Sequence, residues 1–184
     1  MCPVKKIFFV LLLILFSAPF PAYAAQGGGG LGISAQSFIR DFYKASAHVT
    51  KGLSPTQSEN GKTITPEGNI MIAHDTSVIL MLKRLRHTGL IENISVSYFY
   101  DPESYSSGTK DSPDAVHIFT NVCLQVIFAL NEGISDHDAR TALRDLGVHG
   151  PILDGIQRRK IIGKFIYLMK FQPNGVTIMA VSHI

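Results

Sequence analysis

The 184-residue sequence has little cysteine, no tryptophan and few charged residues. Its two cysteines are Cys2 and Cys123, and charged residues make up 17% of the chain. Two cysteines exclude a framework of several disulfides. The weak charge gives no support for a partner as anionic as nucleic acid. The fold therefore has to depend on a hydrophobic core, for which 46% of the residues are suitable.

One long apolar run is present, and it lies at the N-terminus. Lys5 and Lys6 precede the apolar residues 7–16, and an Ala-x-Ala site ends at Ala24. This order of basic, apolar and small residues is typical of a Sec-type signal peptide. A transmembrane anchor is the alternative, but a bilayer core needs about 20 helical residues, more than this run supplies. The sequence predicts cleavage after Ala24 and export to a bacterial periplasm, with no transmembrane anchor left afterwards.

Cleavage at this site would leave a chain of 160 residues with almost balanced charge. Removal of Lys5 and Lys6 leaves 15 basic against 14 acidic residues, and Cys123 becomes the one cysteine. No intrachain disulfide can then form, and Cys123, inside the apolar stretch FTNVCLQVIF, is predicted to be a buried core residue. A chain of this length suits one domain. We predict a signal peptide over 1–24, a Gly-rich flexible leader over 25–33 and a single α+β domain over 34–184.

Two helices are predicted at the start of this domain. The first follows Ser34 as N-cap and ends near Gly52, because four apolar residues recur at helical spacing: Phe38, Phe42, Ala45 and Val49. A polar loop is predicted over 53–65. The second helix is predicted to open at Thr65, with Pro66 in its first turn, and to run to about Thr88 with Gly89 as its C-cap.

The second half of the chain is predicted to be rich in strands. Alternation in ENISVSYFYD predicts a strand with Ile94, Val96, Tyr98 and Tyr100 on one face and Ser95 and Ser97 on the other. A further polar loop is predicted over 101–114. Residues 115–131 fit both a long strand, bent near Thr120 and Asn121, and a helix; their β-branched and aromatic content favours the strand. KFIYLMKF and VTIMAVSHI, separated by QPNG, predict a C-terminal hairpin.

The stretch ISDHDARTALRDLG places three residues able to bind a metal side by side: Asp136, His137 and Asp138. Apolar residues at helical spacing nevertheless predict a short helix here, with Ser135 as N-cap, Asp138 as its capping acid and Gly147 at the end. Asp136 also stands four residues before Arg140, which favours an ion pair. Three consecutive helical residues point in different directions around the axis, so no metal site is predicted.

These elements together predict an α+β fold, in which N-terminal helices pack on a curved, mostly antiparallel sheet. A short helix would lie between the strands, and a β-hairpin would end the chain. FIRDFYKA resembles the first helix of folds of the nuclear-transport-factor-2 kind, over eight residues. This resemblance implies only the outline of helices on a curved sheet and no activity.

Common catalytic signatures are absent, including Gly-x-Ser-x-Gly, His-Glu-x-x-His, a Walker loop and Cys-x-x-Cys. The function predicted first is a non-catalytic binding or assembly protein of the cell envelope, whose partner is another envelope protein, with no cofactor. The alternative is a small hydrolase or ligand-binding cone with its pocket on the sheet face. Two groups of residues are the binding candidates: the polar stripe His117, Asn121 and Gln125, and the basic cluster Arg158, Arg159 and Lys160.

Overall fold

The computed structural model describes eight stretches of the chain, numbered 30–49, 62–65, 68–73, 78–99, 113–149, 152–153, 156–172 and 176–184. The predicted signal peptide, Gly52, Tyr100 and most of the two predicted polar loops lie outside these stretches. None of the helices within them is both long and apolar enough to cross a membrane.

The described residues form an α+β fold, as predicted. The helices are α1 (Ala35–Val49), α2 (Pro113–Leu130) and α3 (Asp136–Asp145). The strands are β1 (Lys62–Ile64), β2 (Ile70–Ala73), β3 (Val78–Arg84), β4 (Ile91–Phe99), β5 (Val148–His149), β6 (Ile152–Leu153), β7 (Arg158–Ile162), β8 (Phe165–Gln172) and β9 (Val176–His183). Seven of these strands form one antiparallel sheet in the order β1-β2-β3-β4-β9-β8-β7, and β5 and β6 form a separate pair.

The large sheet consists of two meanders joined at its centre. β1 to β4 form the first meander and β7 to β9 the second, and β4 pairs with β9, for example at Val96 opposite Met179. The chain passes from one meander to the other through α2 and α3. Among the described strands, β4 and β9 are therefore central, whereas β1 and β7 form the two edges.

The helices cover one face of this sheet. Because strand side chains alternate between faces, Val78, Leu80 and Leu82 of β3 point to the same side, and all three are fully buried. α2 packs on β3 and β4, and α1 packs on α2. The Phe119 ring of α2 lies 5.7 Å from the Tyr98 ring of β4. The predicted strand at 94–98 and the C-terminal hairpin β8–β9 are both confirmed.

The first helix is also confirmed at its predicted start. Ser34 caps α1, since its hydroxyl accepts a hydrogen bond of 3.1 Å from the backbone N–H of Ser37. Phe38 and Phe42 are each 1% exposed and anchor the helix in the core.

The predicted second helix over 65–88 is wrong, because the described residues of this segment form β2, β3 and parts of neighbouring turns. Thr65 accepts from the backbone N–H of Asn69 at 3.2 Å, but this bond closes a turn between β1 and β2 and does not begin a helix. Arg84 donates to the carbonyl of Gly68 across that turn. Gly89 has the expected positive φ of 67°, in the turn between β3 and β4. Thr-Pro and Gly are equally suited to turns and to helix ends, so their presence at 65–66 and 89 does not distinguish a helix from strands joined by turns.

For 115–131 the favoured strand is wrong and the helix is the alternative that holds, because residues 115–130 belong to α2. Six consecutive residues of α2 are buried, namely Val122, Cys123, Leu124, Gln125, Val126 and Ile127. Apolar side chains therefore surround most of this part of the helix, which weakens the helical period that would identify it. Cys123 is a fully buried member of the core, as predicted, and burial raises the pKa of its thiol.

Gly30 and Leu31, which belong to the predicted leader, pack against β4. Leu31 is fully buried, and its backbone N–H donates to the carbonyl of Ile91 at 2.7 Å. Gly30 has a φ of +58°, and a Cβ placed on it would lie 2.5 Å from the Ile91 carbonyl oxygen. Only glycine fits such a close approach, so the last glycine of the Gly-rich run docks the chain on β4.

Candidate interaction surface

Residues 135–138, which we call the SDHD stretch, form the capped start of α3. The Ser135 hydroxyl accepts from the backbone N–H of Asp138 at 3.1 Å and donates to the carboxylate of Asp138 at 2.7 Å. Arg140 forms an ion pair of 2.8 Å with Asp136 and holds the pKa of that carboxyl below its usual value. Gly147 follows the helix with a φ of 92°. The prediction of a cap is confirmed in each of these contacts.

Among the described residues, no three His, Cys, Asp or Glu side chains come together in a way that could hold a metal ion. His137 is exposed at the start of α3. The pKa of Asp136 is lowered chiefly by its hydrogen bond to Arg140. Both charged neighbours of His137 are thus engaged within the helix.

The polar stripe predicted on a sheet face lies along α2 instead. His117, Asn121 and Gln125 still share one side, because residues four apart lie near each other on a helix. Their exposure falls along that side: His117 is exposed, Asn121 is half-buried and Gln125 is 8% exposed. The stripe therefore runs from the surface into the helix packing and does not form the floor of a pocket on the sheet.

The predicted basic cluster forms β7, at the edge of the sheet. Arg159 is exposed, whereas Arg158 and Lys160 are half-buried. Lys160 reaches across to α3 and forms an ion pair of 2.6 Å with Asp145. Its charge is thus already neutralised by a neighbouring side chain.

The stripe and the cluster are not brought together. α2 packs on β3 and β4, and two strands, β9 and β8, lie between β4 and β7. Neighbouring strands are about 4.8 Å apart, so β7 lies roughly 14 Å from β4 across the sheet. The six candidate residues therefore belong to two separate places.

A further feature of β7, which sequence reasoning missed, is an exposed apolar side chain beside the basic ones. Arg159 and Ile161 point to the face of the sheet opposite the helices, where they stand beside Leu168 and Ile166 of β8. Ile161 is 51% exposed, and Leu168 and Ile166 are half-buried. We call Arg159, Ile161, Ile166 and Leu168 the β7 edge surface. The sequence RRKII has three basic residues followed by two isoleucines, so its polarity does not alternate and gives no local signal for this surface.

A separate surface depression of about 460 Å³ lies where the link between α2 and α3 meets the turn between β7 and β8. Asn131, Glu132, Lys164 and Phe165 contribute to its lining. The Lys164 ammonium lies 5.5 Å from the centre of the Phe165 ring. This depression holds none of the predicted site residues. Two segments that are distant in sequence line it, so no local pattern could have identified it.

Comparison with known proteins gives no relative: no family model, no curated protein and no solved structure matches the chain.

Proposed function

We propose that this protein is an exported, non-catalytic binding or assembly protein of the bacterial cell envelope. An accessory subunit of a secretion apparatus, or an inhibitor or immunity protein, would fit this description. The observation that carries the proposal is Ile161, an isoleucine that is 51% exposed on an edge strand and has the exposed Arg159 two residues away on the same face.

This combination supports binding for an energetic reason. An edge strand presents unpaired backbone groups, and proteins usually prevent edge-to-edge association by placing charged residues there. An exposed isoleucine in that position favours association and contributes little to the core. A contiguous apolar patch rimmed by polar residues marks an interaction site, and Ile161 continues into the half-buried Ile166 and Leu168 of β8 beside Arg159.

The alternative, a hydrolase or a ligand-binding cone, depended on a pocket on the sheet face floored by His117, Asn121 and Gln125. These residues lie on α2, and the innermost of them is 8% exposed. No observation on the described residues favours that alternative over binding.

Affinity capture from envelope extract tests the binding role. The mature chain, immobilised through a C-terminal tag, is expected to retain one protein in stoichiometric amount, identified by mass spectrometry. A variant with Ile161→Asp serves as the matched control, because the substitution is on the surface and leaves the core intact. A co-purifying small molecule without a protein partner would contradict the proposal.

Export is tested separately. N-terminal sequencing of the protein from the periplasmic fraction is expected to begin at Ala25. Recovery of a chain that still begins at Met1 in the cytosol would contradict the proposed location.

A further inference from the structure

We infer that β7 binds an extended acidic segment of a partner protein as an added antiparallel strand, in the pattern apolar–apolar–any–acidic. The inference deepens the proposed binding function and rests on it. It specifies where the partner binds, in which conformation, and with what sequence.

The backbone of β7 is placed to pair with one further strand. β7 is the last strand in the order of the sheet, and among the described strands it pairs only with β8. The outward side of such a strand presents alternating N–H and C=O groups, which an extended peptide can satisfy in the way of β-strand addition. Every pair in this sheet is antiparallel, and antiparallel pairing is slightly more stable per residue.

The side chains of β7 set the sequence of the added strand. The added strand would run in the direction opposite to β7. Its residues, taken from its N-terminus, would therefore lie opposite Ile162, Ile161, Lys160 and Arg159. The positions opposite Ile162 and Ile161 favour apolar residues, since Ile161 is 51% exposed and would be covered. Lys160 is already paired with Asp145, so the position opposite it does not require a particular residue type.

Arg159 decides the charge of the partner. Its side chain is exposed, and it forms no ion pair with the residues that the structure describes. An acidic residue directly opposite would be a favourable cross-strand pair, whereas a basic one would be repelled. The apolar residue opposite Ile161 would lie on the same face, beside an apolar surface that continues to Ile166.

A different role for the same charges is protection of the edge. Lysine and arginine on an edge strand discourage pairing with other chains. Protection would leave Ile161 without a purpose, because a polar residue at that position would protect the edge better. The two roles make opposite predictions for peptide binding.

Fluorescence anisotropy with short labelled peptides tests the inference. The probe carries Val-Val-Thr-Glu between Gly-Ser flanks, and its control carries Val-Val-Thr-Lys. The full mature chain is expected to bind the Glu peptide at least about tenfold more tightly than the Lys peptide at low salt, with the difference shrinking as salt rises. Alternate backbone N–H groups of the bound peptide would point toward β7. Methylation of that set of nitrogens is expected to abolish binding, whereas methylation of the other set is not.

Variants of the protein connect this binding to β7. Arg159→Glu is expected to weaken the Glu peptide about tenfold and to strengthen the Lys peptide correspondingly, because the sign of the cross-strand pair is reversed. Ile161→Asp is expected to weaken both. Arg144→Glu, an exposed change of the same charge on α3, is the matched control and should change affinity less than about twofold. Thermal unfolding of each variant is measured to check that it is folded.

Equal binding of the Glu and Lys peptides, or no effect of either methylation phase, would overturn the inference. So would capture of an envelope partner that both Arg159→Glu and Ile161→Asp retain in full, although the proposed binding function would then stand. Failure to capture any partner would instead contradict the proposed binding function. The peptide measurements would still show whether β7 prefers an acidic peptide.

Discussion

The side-chain amide of Asn131 donates a hydrogen bond of 2.7 Å to the hydroxyl of Tyr167, which joins the end of α2 to the middle of β8. The same amide donates to the carbonyl of Ile127 at 2.8 Å. Tyr167 is fully buried, and burial raises the pKa of its hydroxyl well above the usual range. This contact ties the helical layer to the second meander by means of one polar side chain.

Replacement of Asn131 is expected to weaken this connection. Asn131→Ala removes both hydrogen bonds and should lower the free energy of unfolding by about 1–3 kcal/mol. Tyr167→Phe removes one of them and should cost about 1 kcal/mol. Chemical denaturation of both single variants and the double variant gives the coupling between the two residues. Additive losses would show that the hydrogen bond contributes no coupling energy.

The cap of α3 is tested by a comparison within the SDHD stretch. Ser135→Ala should destabilise the protein by about 1 kcal/mol, since the N-terminal hydrogen bond is lost. His137→Ala, at an exposed position, should change stability by less than about 0.5 kcal/mol. A chelator should leave the Tm of the parent protein unchanged. A Tm that falls with chelator, and no longer responds to it after His137→Ala, would instead show a metal site.

The docking of the leader is tested at two glycines with similar backbone. Gly30 and Gly32 have φ values of +58° and +69°, but only a Cβ on Gly30 would meet other atoms, at 2.5 Å from the Ile91 carbonyl oxygen. Gly32→Ala should cost about 1 kcal/mol, the strain of the left-handed region alone. Gly30→Ala should cost clearly more, because the chain around Leu31 has to move. Equal losses in thermal unfolding would mean that the close approach is relieved without cost.

The ion pair on α3 predicts a site-specific titration. The pKa of Asp136 is lowered by its hydrogen bond with Arg140. Its folded-state pKa is below the unfolded value, so its small stabilising effect is present above the unfolded pKa and lost as pH falls through the folded one. In Arg140→Gln, NMR titration should show the Asp136 pKa rising toward its usual value. The pKa of Asp41, lowered by Arg40 on α1, is the internal control and should not move.

Two buried hydroxyls lead to a prediction that a substitution does not destabilise the protein. Ser97 and Thr177 are 1% and 0% exposed, and neither side-chain oxygen has a hydrogen-bond partner among the described residues. Thr177→Val keeps the shape and removes an unsatisfied polar group, so the free energy of unfolding should stay level or rise by about 1 kcal/mol. Thr120→Val is the control and should destabilise, because the Thr120 hydroxyl donates to Val116 at 2.8 Å. A loss of stability in Thr177→Val would contradict this reasoning.

The sequence alone determined those elements whose residues interact with near neighbours. The amphipathic pattern of α1, the Ser135–Asp138 cap, the Asp136–Arg140 pair and the β8–β9 hairpin all depend on residues close together in the chain. Local periodicity and capping chemistry were enough to predict them. The α+β class followed from these elements.

Only the tertiary structure decided which state the ambiguous segments adopt. Residues 113–130 are mostly apolar and rich in β-branched side chains, so their pattern allowed strand and helix alike, and packing against α1, the sheet and α3 selected the helix. The residues of β2 and β3 fitted a helical spacing but include β-branched side chains, and the pairing of β2 with β3 and of β3 with β4 selected strands. The β7 edge surface depends likewise on the order of the strands, because RRKII reveals its charges in the sequence but becomes an edge only when β8 covers one side of it. Long-range packing provides the free energy that local propensity leaves undecided.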